Sequence, residues 1–180
     1  MRLDETVVKA SLAIVVKTLN GLYARAARLQ AEQQGLDKIA FPPQLTEQAR
    51  DPDVRDIMAS ETKLFEVRVN GRTGQKAQLR ERVEQLNEEI RGLKAQRESK
   101  EKEIQLIGRE KEGVYDLWKQ KLVPLTKITQ LEREEARLQG EAGQLVAQTA
   151  QAGGKISETE LQILQVDRDL SSEVAKETRE

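Results

Sequence analysis

The sequence predicts an all-α fold: an elongated antiparallel coiled-coil hairpin with an additional N-terminal helix packed on its lower half. Three observations carry this. Aromatic residues are only 3% of the 180 and charged residues 34%, a composition of long helices rather than of a deep core. Two long stretches repeat apolar residues at heptad spacing. A proline-containing break, Lys121 to Thr126, separates them.

The first helix is expected over 1–34. Val8, Leu12, Val15, Leu19, Leu22, Ala26 and Leu29 recur there in alternating steps of four and three, and Gly35 is suited to end it. A connection follows over 35–52. Phe41-Pro42-Pro43 excludes regular helix, because proline lacks an amide donor and pushes its predecessor into extended geometry. Its apolar members Leu36, Ile39, Phe41 and Leu45 are expected to fold back on a neighbouring helix.

An ascending helix is expected over 53–121. Asp51, Pro52 and Asp53 suit its start, through a proline in the first turn and acidic groups at the positive end of the helix dipole. Its seam runs unbroken from Leu79 through Val83, Leu86, Ile90, Leu93, Arg97, Lys100, Ile104, Ile107, Lys111 and Val114 to Trp118. The glycines at 71 and 74 lower helix propensity by about 1 kcal/mol each, so a bend at most is expected.

The tip is expected over 122–126. Pro124 disfavours helix at Val123 and suits the first position of a new one. Thr129 to Glu132 also fits a capping box, which would start the descending helix slightly later. That helix, 127–180, carries its own seam from Ile128 and Leu131 through Glu135, Leu138 and Ala142 to Val166 and Leu170. Folding at the proline sets Val114 against Leu131, Ile107 against Leu138 and Ile104 against Ala142. It also sets Lys111 against Glu135, turning two polar seam residues into a register pair. A second stripe, Val146, Ala150, Gly153, Ser157, Leu161 and Leu164, is the expected seat of the first helix.

Function classes fall away quickly. Thirty Lys+Arg nearly cancel thirty-one Asp+Glu, and the signs are interspersed, so no nucleic-acid partner is expected. With no Cys and no His, disulfides, thiol nucleophiles and the usual zinc sites are out of reach. No catalytic, cofactor or metal site is expected, and the chain is not read as an enzyme. Gly153-Gly154-Lys155 lacks the upstream glycine of a phosphate loop. The apolar run Leu12 to Val16 is far shorter than a membrane span, and no span is expected. The turn, however, gathers Leu117, Trp118, Leu122, Val123 and Leu125 where two helices provide little core. An apolar apex of this kind reads as a docking point.

These stretches carry a resemblance. Arg2-Leu3-Asp4-Glu5-Thr6, Phe41-Pro42-Pro43, Lys121-Leu122-Val123-Pro124, Leu131-Glu132-Arg133-Glu134 and Gly154-Lys155-Ile156-Ser157-Glu158 resemble the helical segment of HlyD-family periplasmic adaptors, the membrane fusion proteins of bacterial type I secretion. The resemblance spans essentially the whole chain. It implies a segment of a longer protein, without the membrane anchor, lipoyl-like halves and β-barrel domain. It further implies a periplasmic location, with the parent protein anchored in the inner membrane. The implied partners are an inner-membrane ABC transporter, a TolC-like outer-membrane channel and further copies of the adaptor, six in the assembled tube. Of the expected tip contacts, the resemblance implies Leu117 alone; Leu122, Val123, Pro124 and Leu125 are expected from their place at the apolar apex. Related drug-efflux adaptors carry an Arg, Leu and Ser signature at the tip; here only Leu117 matches, with Gly113 and Pro124 at the other two positions. Two other readings are a drug-efflux adaptor hairpin and a parallel dimeric tethering coiled coil.

Overall fold

The computed structural model describes residues 2–179, with side chains from residue 6 onward. Met1 and Glu180, the outer ends of the first and last expected segments, lie outside the described residues. Among the described residues four helices follow in order: α1 (Arg2–Gln34), α2 (Pro43–Thr46), α3 (Pro52–Lys119) and α4 (Leu125–Glu177). The chain divides into two units, one of Met1–Gln78 with Ile163–Glu180 and one of Leu79–Gln162.

Helix ends follow local chemistry. At the end of α1, Gly35 takes φ 65; its amide donates to the Glu32 carbonyl at 3.3 Å and that of Leu36 to the Ala31 carbonyl at 3.0 Å. This is a Schellman cap, which uses up carbonyls that the last turn leaves without partners. At the start of α3, Asp51 Oδ1 accepts from the Asp53 amide at 2.9 Å, with Pro52 as the first helical residue. The helix then continues through Gly71 and Gly74.

The two-helix unit consists of α3 from Leu79 and α4 to Gln162. The expected seams are real. Every α3 seam position from Leu79 to Trp118 is buried or half-buried, and so is every α4 position from Ile128 to Thr159. Leu86, Ile128, Leu131, Leu138 and Ala152 are the most deeply enclosed apolar members. Burying alternate threes and fours on both helices makes this an intramolecular hairpin, not a parallel dimer.

The other unit packs α1, the start of α3 and the end of α4 together. Its apolar centre is Ala24, Leu45 and Val54, with Phe41, Ile57 and Met58 against it. Thus Leu45 and Phe41 fold back as expected, Ile39 is half-buried, and Leu36 remains 42% exposed.

Three expectations about α1 and α4 are corrected. Of the expected α1 stripe, only Leu29 is buried, whereas Val8, Leu12, Val15, Leu19 and Leu22 are exposed. The inward face is Asn20, Ala24, Ala27, Arg28 and Ala31. Small side chains bring the helices close there, whereas every position from 6 to 19 is exposed, so nothing in the unit covers the earlier part of the stripe. Nor is the second α4 stripe buried: Val146, Ala150, Ser157, Leu161 and Leu164 are exposed. Finally, α1 includes a segment, Thr6–Gln34, long and apolar enough by length and composition to cross a membrane, with mean hydropathy 1.3 over its best window. The uninterrupted run that ends at Val16 hides this; averaging passes over Lys9 and Lys17. Either lysine at a bilayer centre costs about 2.5–3.5 kcal/mol, and Lys17 pairs with Asp53 at 3.3 Å.

Candidate functional site

The turn between α3 and α4 is built by capping. Lys121 takes φ 61. Its amide donates to the Trp118 carbonyl at 2.8 Å, and the Leu122 amide donates to the Leu117 carbonyl at 3.0 Å. This is the same Schellman arrangement as at Gly35, with a lysine in the left-handed position. Helix α3 therefore stops at Lys119, two residues earlier than its expected end and ahead of Pro124. Pro124 directly precedes α4, and its carbonyl accepts from the Lys127 amide at 3.1 Å. The alternative capping box at Thr129 does not form: Thr129 Oγ1 donates to the Leu125 carbonyl at 3.3 Å, inside α4.

Around this frame the side chains sort into two layers. Ile128 and Leu131 are buried and Val114 and Trp118 half-buried, closing the end of the hairpin. Outside them, Leu122 is 66% exposed, Leu125 56% and Leu117 41%, with Val123 half-buried and Pro124 exposed. The cap holds Leu117 and Leu122 on one strap of backbone, since their main-chain groups are bonded to each other. Tyr115, missed in the sequence reading, stacks on Trp118 with ring centroids 5.6 Å apart. The Lys119 ammonium lies 4.5 Å from the Tyr115 ring centre. Spacings of three and four from Tyr115 place all three on one helix face, a signal that was available in the sequence.

Below the turn, Lys111 and Glu135 form a salt bridge between the two helices. The hydrogen bond to Glu135 raises the lysine pKa, with burial opposing. Lys100 reaches Glu141 on α4 and Glu103 on its own helix, both at 3.1 Å. The bond to Glu141 leads the upward shift of its pKa.

The three-helix unit holds an ion cluster that the sequence reading missed. Arg28 on α1, only 2% exposed, donates to Glu61 of α3 at 2.5 Å, to Glu177 of α4 at 2.7 Å and to Glu32 at 2.9 Å. Arg68 adds bonds to Glu177 at 2.6 Å and to Glu32 at 3.4 Å. Burial opposes the charge on Arg28, but the three carboxylate bonds outweigh it and raise its pKa. For Glu177, burial pushes upward, and the bonds from Arg28 and Arg68 win and hold its carboxyl below the ordinary 4.5. Only the Arg28–Glu32 pair, four residues apart, was within reach of a sequence pattern.

The family of AprE, long alpha-helical hairpin, matches residues 8–180. The chain belongs to this family. A type I secretion system membrane fusion protein, PrsE of Rhizobium meliloti (strain 1021), is 42% identical over 177 residues, which are 98% of this chain and 40% of that protein. The AprE-type hairpin thus spans about two fifths of the length of that relative. The soluble domain of LipC, a membrane fusion protein of a type I secretion system, superposes with a TM-score of 0.87 at 19% identity. It covers 95% of this chain and 82% of LipC's, a likeness of fold. The resemblance read from the sequence, to the helical hairpin segment of type I secretion membrane fusion proteins, is borne out.

Proposed function

We propose that this AprE-type hairpin is the strut of a periplasmic adaptor in type I protein secretion. In this reading the parent protein is anchored in the inner membrane beside an ABC transporter. Its copies assemble into a tube, six in number, and the hairpin tip docks on a TolC-like outer-membrane channel. The observation that carries the docking role is the group Leu117, Leu122 and Leu125, all exposed on a turn whose backbone is fixed by its own cap. A rigid apolar knob loses little conformational freedom on binding. Val123 and Pro124 complete the contact surface, and the Lys111–Glu135 pair keeps the helices in the register that presents it. The kinship with PrsE and LipC supports the type I setting.

The test is crosslinking in cells. The chain has no cysteine, so Leu122→Cys introduces a unique thiol. A crosslink to an outer-membrane channel protein is expected, and none from Ser99→Cys in the middle of α3. Crosslinks from Leu122→Cys to adaptor copies alone would remove the tip as the channel contact.

A further inference from the structure

The tip of the hairpin carries a charge pattern that the fold does not account for. Between Glu112 and Glu132 the only carboxylate side chain is that of Asp116, against Lys119, Lys121 and Lys127. The stretches directly below, 100–112 and 132–141, hold six basic and eight acidic residues, tied across the two helices by Lys111–Glu135 and Lys100–Glu141. A positive end thus stands on a slightly negative stem. Asp116 pairs with Lys119 at 3.5 Å, and the ammonium groups of Lys121 and Lys127 have no carboxylate partner among the described residues. Both lysines also stand where the local structure disfavours them. Lys121 fills the left-handed cap position at φ 61, where glycine would avoid the clash of Cβ with the backbone. Lys127 lies in the first turn of α4, which has no acidic residue, so its charge meets the positive end of the helix dipole. Exposed cations held against helix geometry and helix electrostatics, with no compensating contact in the fold, point to a function outside it.

We propose that Lys121 and Lys127, which bracket Leu122 and Leu125 in the chain, are docking residues, and that the tip fits a protein surface with carboxylates set around an apolar socket. The inference rests on the adaptor reading, in which that surface is the periplasmic end of the outer-membrane channel. Charges at the rim of an apolar contact steer the encounter and fix its orientation, because the wrong approach sets like charges together. The leucines supply contact and the lysines selectivity. An anionic bilayer is the poorer match. Recognition of such a surface uses clusters of about four to eight Lys or Arg, whereas the tip offers three, one of them paired with Asp116. Trp118, the side chain best suited to a membrane interface, is half-buried at the end of the seam.

The test adds substitutions to the parent adaptor carrying Leu122→Cys. Lys121→Glu with Lys127→Glu is expected to cut the crosslink to the channel protein about tenfold. Lys121→Gln with Lys127→Gln is expected to cut it less, and Lys121→Arg with Lys127→Arg to leave it unchanged. The same reversal on the stem, Lys94→Glu with Lys102→Glu, both exposed, shifts net charge equally and is expected to have no effect. Circular dichroism of the 180-residue chain shows whether each variant keeps its helices; if the glutamate pair does not, the difference between the glutamine and arginine pairs decides the matter. A channel crosslink that charge reversal does not move overturns the role of the lysines and leaves tip docking standing. No channel crosslink from Leu122→Cys itself overturns both. Capture of the chain by phosphatidylglycerol vesicles, abolished by the glutamate pair, would assign the lysines to a lipid surface and overturn the proposal as well.

Discussion

The Leu122 amide donates to the Leu117 carbonyl at 3.0 Å across the end of α3, and this bond forces Lys121 into a left-handed conformation at φ 61. Such a conformation costs an L-residue about 1–2 kcal/mol, part of which glycine returns as backbone entropy in the unfolded chain. Lys121→Gly is therefore expected to stabilise the chain by about 0.5–1 kcal/mol in urea denaturation. Gly35→Ala, at the matching cap of α1, is expected to destabilise by about 1 kcal/mol. A destabilised Lys121→Gly would show that the lysine side chain itself holds the turn.

The same cap changes what Pro124 is expected to do. Since α3 ends at Lys119, five residues before the proline, Pro124→Ala removes no feature on which the ending of α3 depends. Helix content by circular dichroism and the midpoint of thermal unfolding are expected to change little. A marked rise in helicity would mean that α3 and α4 had fused into one helix, and that the proline breaks it.

How much of this was legible in the sequence depended on which force wrote the pattern. The seams of α3 and α4 are apolar stripes at fixed period, and the residues from Leu79 to Trp118 were all placed on the correct face. The glycine at 35 and the aspartate before Pro52 announce their caps by residue type. Lys121 does not, because a lysine in a left-handed turn leaves no compositional trace. On α1 the larger apolar residues point out, and alanines with Arg28 and Glu32 point in. The stripe of α1 goes uncovered because no position from 6 to 19 is buried at all. The ion cluster joins residues 28, 61, 68 and 177, which only the tertiary fold brings together.

Arg28 is the centre of that cluster, with its side chain 2% exposed and that of Glu32 fully enclosed. Removing one member of a buried ion pair costs about 3–5 kcal/mol, chiefly because the other charge is left uncompensated. Arg28→Leu is expected to destabilise by that amount in urea denaturation. Adding Glu32→Leu is expected to recover part of the loss, since it removes the stranded carboxylate. A double variant less stable than Arg28→Leu would mean that Glu32 is held mainly by Arg68.

The Lys111–Glu135 pair between α3 and α4 is tested by charge exchange. Lys111→Glu places two carboxylates at facing seam positions and is expected to lower the thermal midpoint. Adding Glu135→Lys is expected to restore it. The recovery isolates the pairwise interaction from the intrinsic effect of each substitution. Independent, additive losses would show that the pair does not set register.

Glu177 makes part of the α1–α4 contact sensitive to acid. Arg28 and Arg68 face its carboxylate, and Arg25 donates to its main-chain carbonyl at 3.0 Å. Its folded pKa lies below the ordinary 4.5, so the unfolded chain binds more protons than the folded one as pH falls through that range. The stabilisation is accordingly complete above the ordinary value and is lost as pH drops through the depressed one. Thermal melts of the chain and of Glu177→Gln, followed by circular dichroism, are expected to differ most at neutral pH. The gap should hold down to about pH 5 and close below the ordinary carboxylate range. A gap that stays constant to pH 2 would mean that Glu177 contributes through packing and hydrogen bonding that its charge does not govern.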